Sequence, residues 1–304
     1  MGLLVVGSVA LDSIETPFDK VENALGGSST YISVASSYFT APVHLIGVVG
    51  DDFPKEHIEM LNRHNVNLEG LQIVEGEKTF RWGGKYHYDL NVRDTLFTDL
   101  NVFEKFNPVI PDKMRNDKFL LLGNIAPTLQ LNVLDQMSDN PFVICDTMNL
   151  WIDIMKEDLL KVIKRVNVLI INDSEARLLT NEANLIKSAR MIREMGPEYL
   201  IIKKGEHGAL LFGEQAIFSA PAYPLESIFD PTGAGDTFAG GFTGYLHNSG
   251  DISFENMKRA VIYGSALASF CVGKFSTKGI EDLTSLEIKD RFNEFKELTR
   301  FTEK

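Results

Sequence analysis

The segment Asp230-Pro-Thr-Gly-Ala-Gly-Asp-Thr-Phe-Ala-Gly-Gly-Phe242 holds the residues best suited to chemistry. Gly233, Ala234 and Gly235 make a small-residue turn that leads into a helix expected to begin near Asp236. The first N–H groups of a helix have no partner inside it, and the helix dipole adds partial positive charge there. Residues without bulky side chains let an anion come close to those groups. Asp236 places a carboxylate at the same point. An anion hole beside a carboxylate is consistent if the two serve different partners: the carboxylate takes a proton from an attacking hydroxyl while the amides hold phosphoryl oxygens. The plainer reading is that Asp236 caps a helix after a glycine turn.

Other residues could join such a site. Asp12 lies at what reads as the carboxyl end of the first strand, where ligands bind in open parallel sheets. Its carboxylate can accept from two neighbouring hydroxyls, as on a sugar ring; a turn residue is the default. Gly26 and Gly27 precede a helix and would let the backbone approach a sugar or let a lid move. Asn172 and Glu175 have the spacing of a helix cap and its first turn. Lys203 ends a strand just before Gly205, as a phosphate contact or as a solvated lysine. Gly264 and Ala268 share one helical face, to admit a flat adenine or to pack two helices. The Walker pattern is absent, since Gly70 and Lys78-Thr79 have the wrong spacing. The dinucleotide pattern fails at Phe238.

Short apolar runs must position these residues. Leu3–Val9, Val43–Val49, Phe119–Leu122, Phe142–Cys145, Val168–Ile171 and Tyr199–Ile202 read as buried parallel strands. Helical candidates lie between them: Ser29–Phe39, Pro54–His64, Leu129–Met137, Glu157–Val166 and Leu185–Met195. After Asp230 the chain turns mainly helical, over 240–247, 256–272 and 285–299. The alternation predicts an α/β domain with a mostly parallel central sheet flanked by helices. Two stretches break it. Residues 14–25 are polar, and Leu71–Leu90 contains TFRWGGKYHYD, in which Gly83-Gly84 reads as a hairpin turn. These segments, about 13–25 and 71–100, are expected to form a small antiparallel β lid inserted in a single domain of residues 1–304. Its aromatic residues need a cover, and a homodimer through the lid would supply one.

Composition excludes several classes. The chain has 304 residues, 42 acidic against 30 basic, for a formal charge of -12. That balance repels nucleic-acid backbones and anionic lipid, so neither nucleic acid nor membrane is expected as a partner. The two cysteines, Cys145 and Cys271, sit in apolar runs and read as buried thiols. MGLLVVGSVALD reads as a first strand and not as a leader, which places the protein in the cytoplasm.

The DPTGAGDTFAGGF segment closely resembles the C-terminal signature of the PfkB/ribokinase family of kinases. Other stretches agree in order: VVGSVALD with Asp12, Gly26-Gly27, LIGVVGDDFP, Asn172-Asp-Ser-Glu175 and LIIKKGEHGALLF. The resemblance implies a ribokinase-like fold and ATP as phosphoryl donor. It implies Asp236 as catalytic base, Gly233, Ala234 and Gly235 as anion hole, and Asp12, Gly26 and Gly27 around the acceptor. Asn172 and Glu175 would organise Mg2+ and phosphates through water. Lys203, Gly205, Thr232, Gly264 and Ala268 would line the nucleotide side, with Asp230 and Thr232 as candidate ligands for K+.

The sequence departs from the ribokinase pattern after the double glycine, where Ser28-Ser-Thr-Tyr31 replaces K-G-A-N. Lys274-Phe-Ser276 also replaces a glycine turn near the cation site. The expected activity is transfer from ATP to a primary hydroxyl of a small sugar or sugar-bearing metabolite. A nucleoside is the alternative, because Phe80, Trp82 and Tyr31 could stack a base. A non-catalytic nucleotide or sugar sensor is the rival from another class, and intact Asp236 and Glu175 speak against it.

Overall fold

A computed structural model of the chain describes residues 2–302. The chain opens with β1 (Leu3–Val6), β2 (Ala10–Glu15), β3 (Lys20–Gly26) and α1 (Ser28–Ser37). Next come β4 (Val43–Gly50), α2 (Lys55–Arg63), β5 (Val66–Val74), β6 (Phe80–Tyr86) and β7 (Arg93–Asp99). The middle of the chain contains β8 (Phe119–Leu122), α3 (Pro127–Gln136), β9 (Phe142–Asp146), α4 (Asn149–Ile154) and α5 (Lys156–Ile163). It continues through β10 (Val168–Asn172), α6 (Asp173–Thr180), α7 (Leu185–Glu194) and β11 (Tyr199–Lys203). β12 (Ala209–Phe212) and β13 (Ile217–Ala220) precede α8 (Ala234–Ser249), α9 (Phe254–Cys271) and α10 (Ser285–Leu298).

Nine strands form one sheet, in the order β13-β12-β11-β10-β9-β8-β1-β4-β5. From β11 to β5 the pairings are parallel; β12 and β13 add an antiparallel edge. Successive side chains on a strand leave opposite faces. Leu4, Val6, Leu120 and Leu122 therefore enter one core, while Leu3, Val5, Phe119 and Leu121 enter another with Phe242 and Leu246 of α8. Burial on both faces explains why these strands are apolar throughout. The strand order reverses at β1, which opens a crevice at the carboxyl ends of the strands.

The first strand ends at Val6, three residues before the expected Val9. Ser8 draws the chain away from the sheet: its amide donates to Ser28 Oγ at 3.1 Å, and its carbonyl accepts from Ser29 N at 3.0 Å and Ser29 Oγ at 2.7 Å. Asp12 consequently belongs to β2. The same bonds account for Ser28 and Ser29, which hold the start of α1.

The second sheet has the order β3-β2-β6-β7. The β2–β3 and β6–β7 pairs are antiparallel and the seam between β2 and β6 is parallel. Gly83-Gly84 is not its turn. Both glycines lie inside β6, and the reversal comes between Tyr86 and Arg93. A Cβ on Gly84 would overlap the Trp82 ring, and one on Gly83 the Phe97 ring. The glycines thus make room for two aromatic side chains lying along the strand. Residues 71–74 belong to β5 of the large sheet, so the second lid segment starts at Phe80 and not at 71.

The small sheet is anchored at its root. Asp52 accepts from the Thr79 amide and hydroxyl, both at 2.7 Å, and meets Arg81 at 3.0 Å. Phe80 stacks on Phe103 with ring centroids 5.2 Å apart, and Phe103 stacks on Phe106. Phe80 is therefore committed to packing.

Candidate active site

α8 begins at Ala234, two residues before the expected start. Gly233 caps it with φ 75°, a left-handed conformation that favours glycine. A Cβ there would also overlap the Tyr31 ring beneath the turn. Tyr31 is fully buried, so it supports the turn and cannot stack a base. The Ala234 amide is spent on Pro231 O at 3.2 Å. Among the described residues, no acceptor meets the amides of Gly233, Gly235 or Asp236. Those three amides, and not that of Ala234, are open to an anion.

Four charged groups surround this helix start. Lys203, at the end of β11, reaches Asp146 at 3.3 and 3.4 Å. Its ammonium lies so close to Gly235 that any side chain there would press on it. At 18% side-chain exposure it is not a solvated lysine. Burial pulls its pKa down, but Asp146, Glu175 and Asp236 together hold it above the ordinary lysine value. Asn172 and Glu175 form a capping box at α6: Glu175 N donates to Asn172 Oδ1 at 2.8 Å, and Asn172 N donates to Glu175 Oε2 at 2.7 Å. The helix-cap reading of this pair is correct as far as it goes, and it leaves Glu175 Oε1 for a ligand. Burial raises Glu175 to about 7, with Lys203 opposing and Asp146 adding to it. Burial and then Asp146 likewise raise Asp236 to about 7, against Lys203 and Arg93. Asp236 Oδ1 is buried without a hydrogen-bond partner among the described residues.

Asp12 lies across the crevice on β2 and is buried. Burial first, then Asp230 and Asp236, push its carboxyl to about 8, while the Gly27 amide and Arg93 pull it down. Gly26 must lack a side chain because a Cβ would overlap the Asp12 carboxylate. Gly27, with φ 90°, caps α1. Trp82 is the direct neighbour of Asp12 across the β2–β6 seam. Tyr86, four residues on, faces the same way, and its hydroxyl accepts from Thr232 Oγ1 at 3.0 Å. Asn91, in the lid turn, stands beside Gly205, whose φ is 54°: a Cβ there would lie 3.2 Å from Asn91 Oδ1. The small sheet thus lies over the crevice and meets the loops at Thr232 and Gly205.

Asp230 is fully buried; Thr232 N donates to Oδ1 at 2.8 Å and Ser276 N to Oδ2 at 3.3 Å. Gly264 is removed from the adenine reading. It packs against Phe238, whose carbonyl a Cβ would strike, so its smallness serves the contact between α8 and α9. Ala268 is half-buried against the core beneath α8 and α9.

Residues 3–282 match the pfkB family carbohydrate kinase. The chain belongs to the pfkB family of carbohydrate kinases. This kinase is 30% identical over 247 residues to the cytidine kinase of Thermococcus kodakarensis, a match covering 80% of this chain and 87% of the relative. Its fold is that of the nucleoside kinase of Methanocaldococcus jannaschii, with TM-score 0.76 at 22% identity over 97% of this chain and 99% of the other. The Burkholderia thailandensis nucleoside kinase in complex with ADP-inosine superimposes with TM-score 0.77 at 18% identity, covering 96% and 95%. Among the described residues, no helix is long and apolar enough to cross a membrane.

Sequence reasoning missed two residues of the kinase site. Asp146 ends the apolar run FVICD, and a carboxylate at the end of a buried parallel strand was a usable signal. Arg93 stands in a polar stretch and is placed only by strand register.

Asp12, Glu175 and Asp236 all have folded pKa values above the ordinary carboxyl range. The folded kinase therefore keeps protons that the unfolded chain has released. Their contribution to stability is fully present below about pH 4 and is lost as pH rises through 7 and 8. Replacing Asp12 by Asn should raise the thermal midpoint of the unliganded kinase at pH 8 by at least about 2–4 °C, the yield of roughly 1 kcal/mol at this size. Below about pH 4 the two proteins should melt together. Scanning calorimetry at both pH values checks this, and an unchanged midpoint at pH 8 would count against it.

Proposed function

We propose that the kinase transfers the γ-phosphoryl group of ATP to the primary hydroxyl of a nucleoside lying between the two sheets. One observation carries this reading: Trp82 neighbours Asp12 on the face of the lid that looks into the crevice. A carboxylate for sugar hydroxyls beside an aromatic surface for a base suits a nucleoside. A free sugar would use Asp12 and leave Trp82 idle. Base–aromatic stacking is worth about 1–3 kcal/mol. The kinship with a cytidine kinase supports the same choice.

In this reading Asp12 accepts hydrogen bonds from ribose hydroxyls, and Gly26 and Gly27 let the sugar approach the backbone. Asp236 Oδ1 takes the proton of the primary hydroxyl. The hydroxyl oxygen bonds to the γ-phosphorus as the bond to the bridging oxygen breaks, and that electron pair leaves with ADP. The amides of Gly233, Gly235 and Asp236, with Lys203, hold the phosphoryl oxygens. Thr232 and Gly205 flank the phosphates.

No cluster of three acidic, histidine or cysteine side chains suited to a metal occurs among the described residues. The capping box uses only Oε2 of Glu175, which fits Mg2+ carried on the nucleotide and held by Glu175 and Asn172 through water. When bound, the ion would neutralise phosphate charge. For K+ the fit is poorer. Asp230 already accepts two amides and acts as a clamp between the phosphate turn and the loop at Ser276, so no step here uses that ion.

The outer side of the lid exposes Phe18, Val92, Leu96 and Phe97. We assign this apolar surface to a homodimer. A cytoplasmic location completes the reading, with ATP at hand and Cys145 and Cys271 unpaired.

Four measurements test the proposal. Asp236→Asn should lose about 10²–10⁴ in turnover and keep its affinity for MgATP, the usual worth of a positioned base. In the unmutated kinase kcat/KM should rise with pH through about 7, as Asp236 ionises. Lys203→Met should move that limb to higher pH, because Lys203 is what pulls Asp236 down. Among cytidine, other nucleosides and ribose, a nucleoside should give the highest kcat/KM; ribose at the top would end the nucleoside assignment. Sedimentation should show a dimer, with Phe97→Glu giving a monomer.

A further inference from the structure

The small sheet carries four lysine or arginine side chains on its strands: Lys20, Arg81, Lys85 and Arg93. Three have a carboxylate partner: Lys20 pairs with Glu22, Arg81 with Asp52 and Lys85 with Glu15. Arg93 alone has none within ion-pair distance among the described residues. An unpaired guanidinium offers a planar fork of donors that matches phosphate oxygens.

Its direction follows from strand register. Arg93 is the cross-strand partner of Tyr86, and directly paired residues leave a sheet on the same face. Tyr86 reaches Thr232, one residue before Gly233. Two residues before Arg93, Asn91 stands beside Gly205, beyond the strand end that carries Lys203. Arg93 therefore leaves the lid between the phosphate turn and the Lys203 loop. The guanidinium lies 5.3 Å from the centre of the Trp82 ring, which orients it by a cation–π contact. Its charge acts on Asp12, Glu175 and Asp236 together, which places it between the acceptor and nucleotide sides.

We infer that Arg93 is a ligand of the transferring phosphoryl group, delivered by the lid from the side opposite the α8 amides and Lys203. The inference rests on the kinase reading of this crevice but not on which acceptor it takes. In the transfer step, negative charge spreads over the three phosphoryl oxygens. The α8 amides and Lys203 meet that charge from the main domain, and Arg93 completes the shell from above. Full charge stabilisation then exists only with the lid over the site, which ties turnover to lid position.

The test compares Arg93→Met and Arg93→Lys with the unmutated kinase. Calorimetry with ADP and with the non-hydrolysable analogue AMP-PNP, each with Mg2+, needs no acceptor. Arg93→Met should weaken AMP-PNP by at least about tenfold and leave ADP within about twofold. Turnover on the best nucleoside should fall about 10²–10³-fold, the worth of one such donor, with acceptor KM changed less than threefold. Arg93→Lys should recover part of both losses. The thermal midpoint should not move, since the residue is exposed. Equal losses for ADP and AMP-PNP, or no loss for either, would overturn the inference. So would a loss confined to acceptor KM, which would place Arg93 at the acceptor. If the unmutated protein phosphorylated no nucleoside, the acceptor assignment would fail, while the AMP-PNP comparison would still decide Arg93.

Discussion

Asp146, Glu175, Asp230 and Asp236 gather at the carboxyl ends of the large sheet and Asp12 faces them from the small one, with Lys203 as the main-domain cation beside Asp146, Glu175 and Asp236. Charge of one sign out of water is costly, and a protein answers by neutralising some groups and pairing others. Both answers occur here. Asp146 is paired with Lys203, and removing one partner of such a buried pair costs about 3–5 kcal/mol. Asp12, Glu175 and Asp236 instead hold protons up to near-neutral pH. The site therefore stores unfavourable charge that a ligand bringing hydrogen-bond donors or a cation would relieve. Stability is lower where function needs a proton acceptor.

The surrounding structure follows from the need to bring these groups close without filling the space between them. Gly26 is bare because the Asp12 carboxylate stands where a side chain would go; Gly235 is bare because Lys203 does. Gly233 needs both its left-handed backbone and its missing side chain, since Tyr31 lies beneath it. The small sheet is fixed at its root by Asp52 and Thr79, and its far end meets Thr232 and stands beside Gly205. A sheet anchored at one end and resting lightly at the other is suited to opening.

Much of the main domain was legible because fully buried parallel strands write continuous apolar runs, and β4, β8 and β10 appear within a residue or two of where those runs lie. The phosphate turn was legible because a helix start with small residues has one strong chemical use. The lid was only half legible. Gly83-Gly84 reads as a turn, but glycine inside a strand also marks close approach by an aromatic ring, and sequence spacing cannot separate the two uses. Gly264 had the same ambiguity, and helix packing won. Tyr31 and Phe80 looked available for stacking because exposure is a tertiary property. Arg93 left no local signal at all: its place depends on pairing with Tyr86 across a turn.

The distribution of charge bears on which acceptors the crevice admits. Asp230 and Asp236 press on Asp12 through their charge, and the molecule as a whole is strongly acidic. A phosphate-bearing ligand would meet the α8 amides and Lys203 at close range, where local donors outweigh a distant net charge screened over about 8–10 Å. An acceptor bearing a carboxylate or phosphate near Asp12 would find no such shelter. Arg93 is the cation within reach, and it is turned toward the point of transfer. The arrangement thus favours a neutral, hydroxyl-rich acceptor and works against sugar acids and sugar phosphates. The same crowding of carboxylates that would repel such acceptors raises the pKa of Asp236.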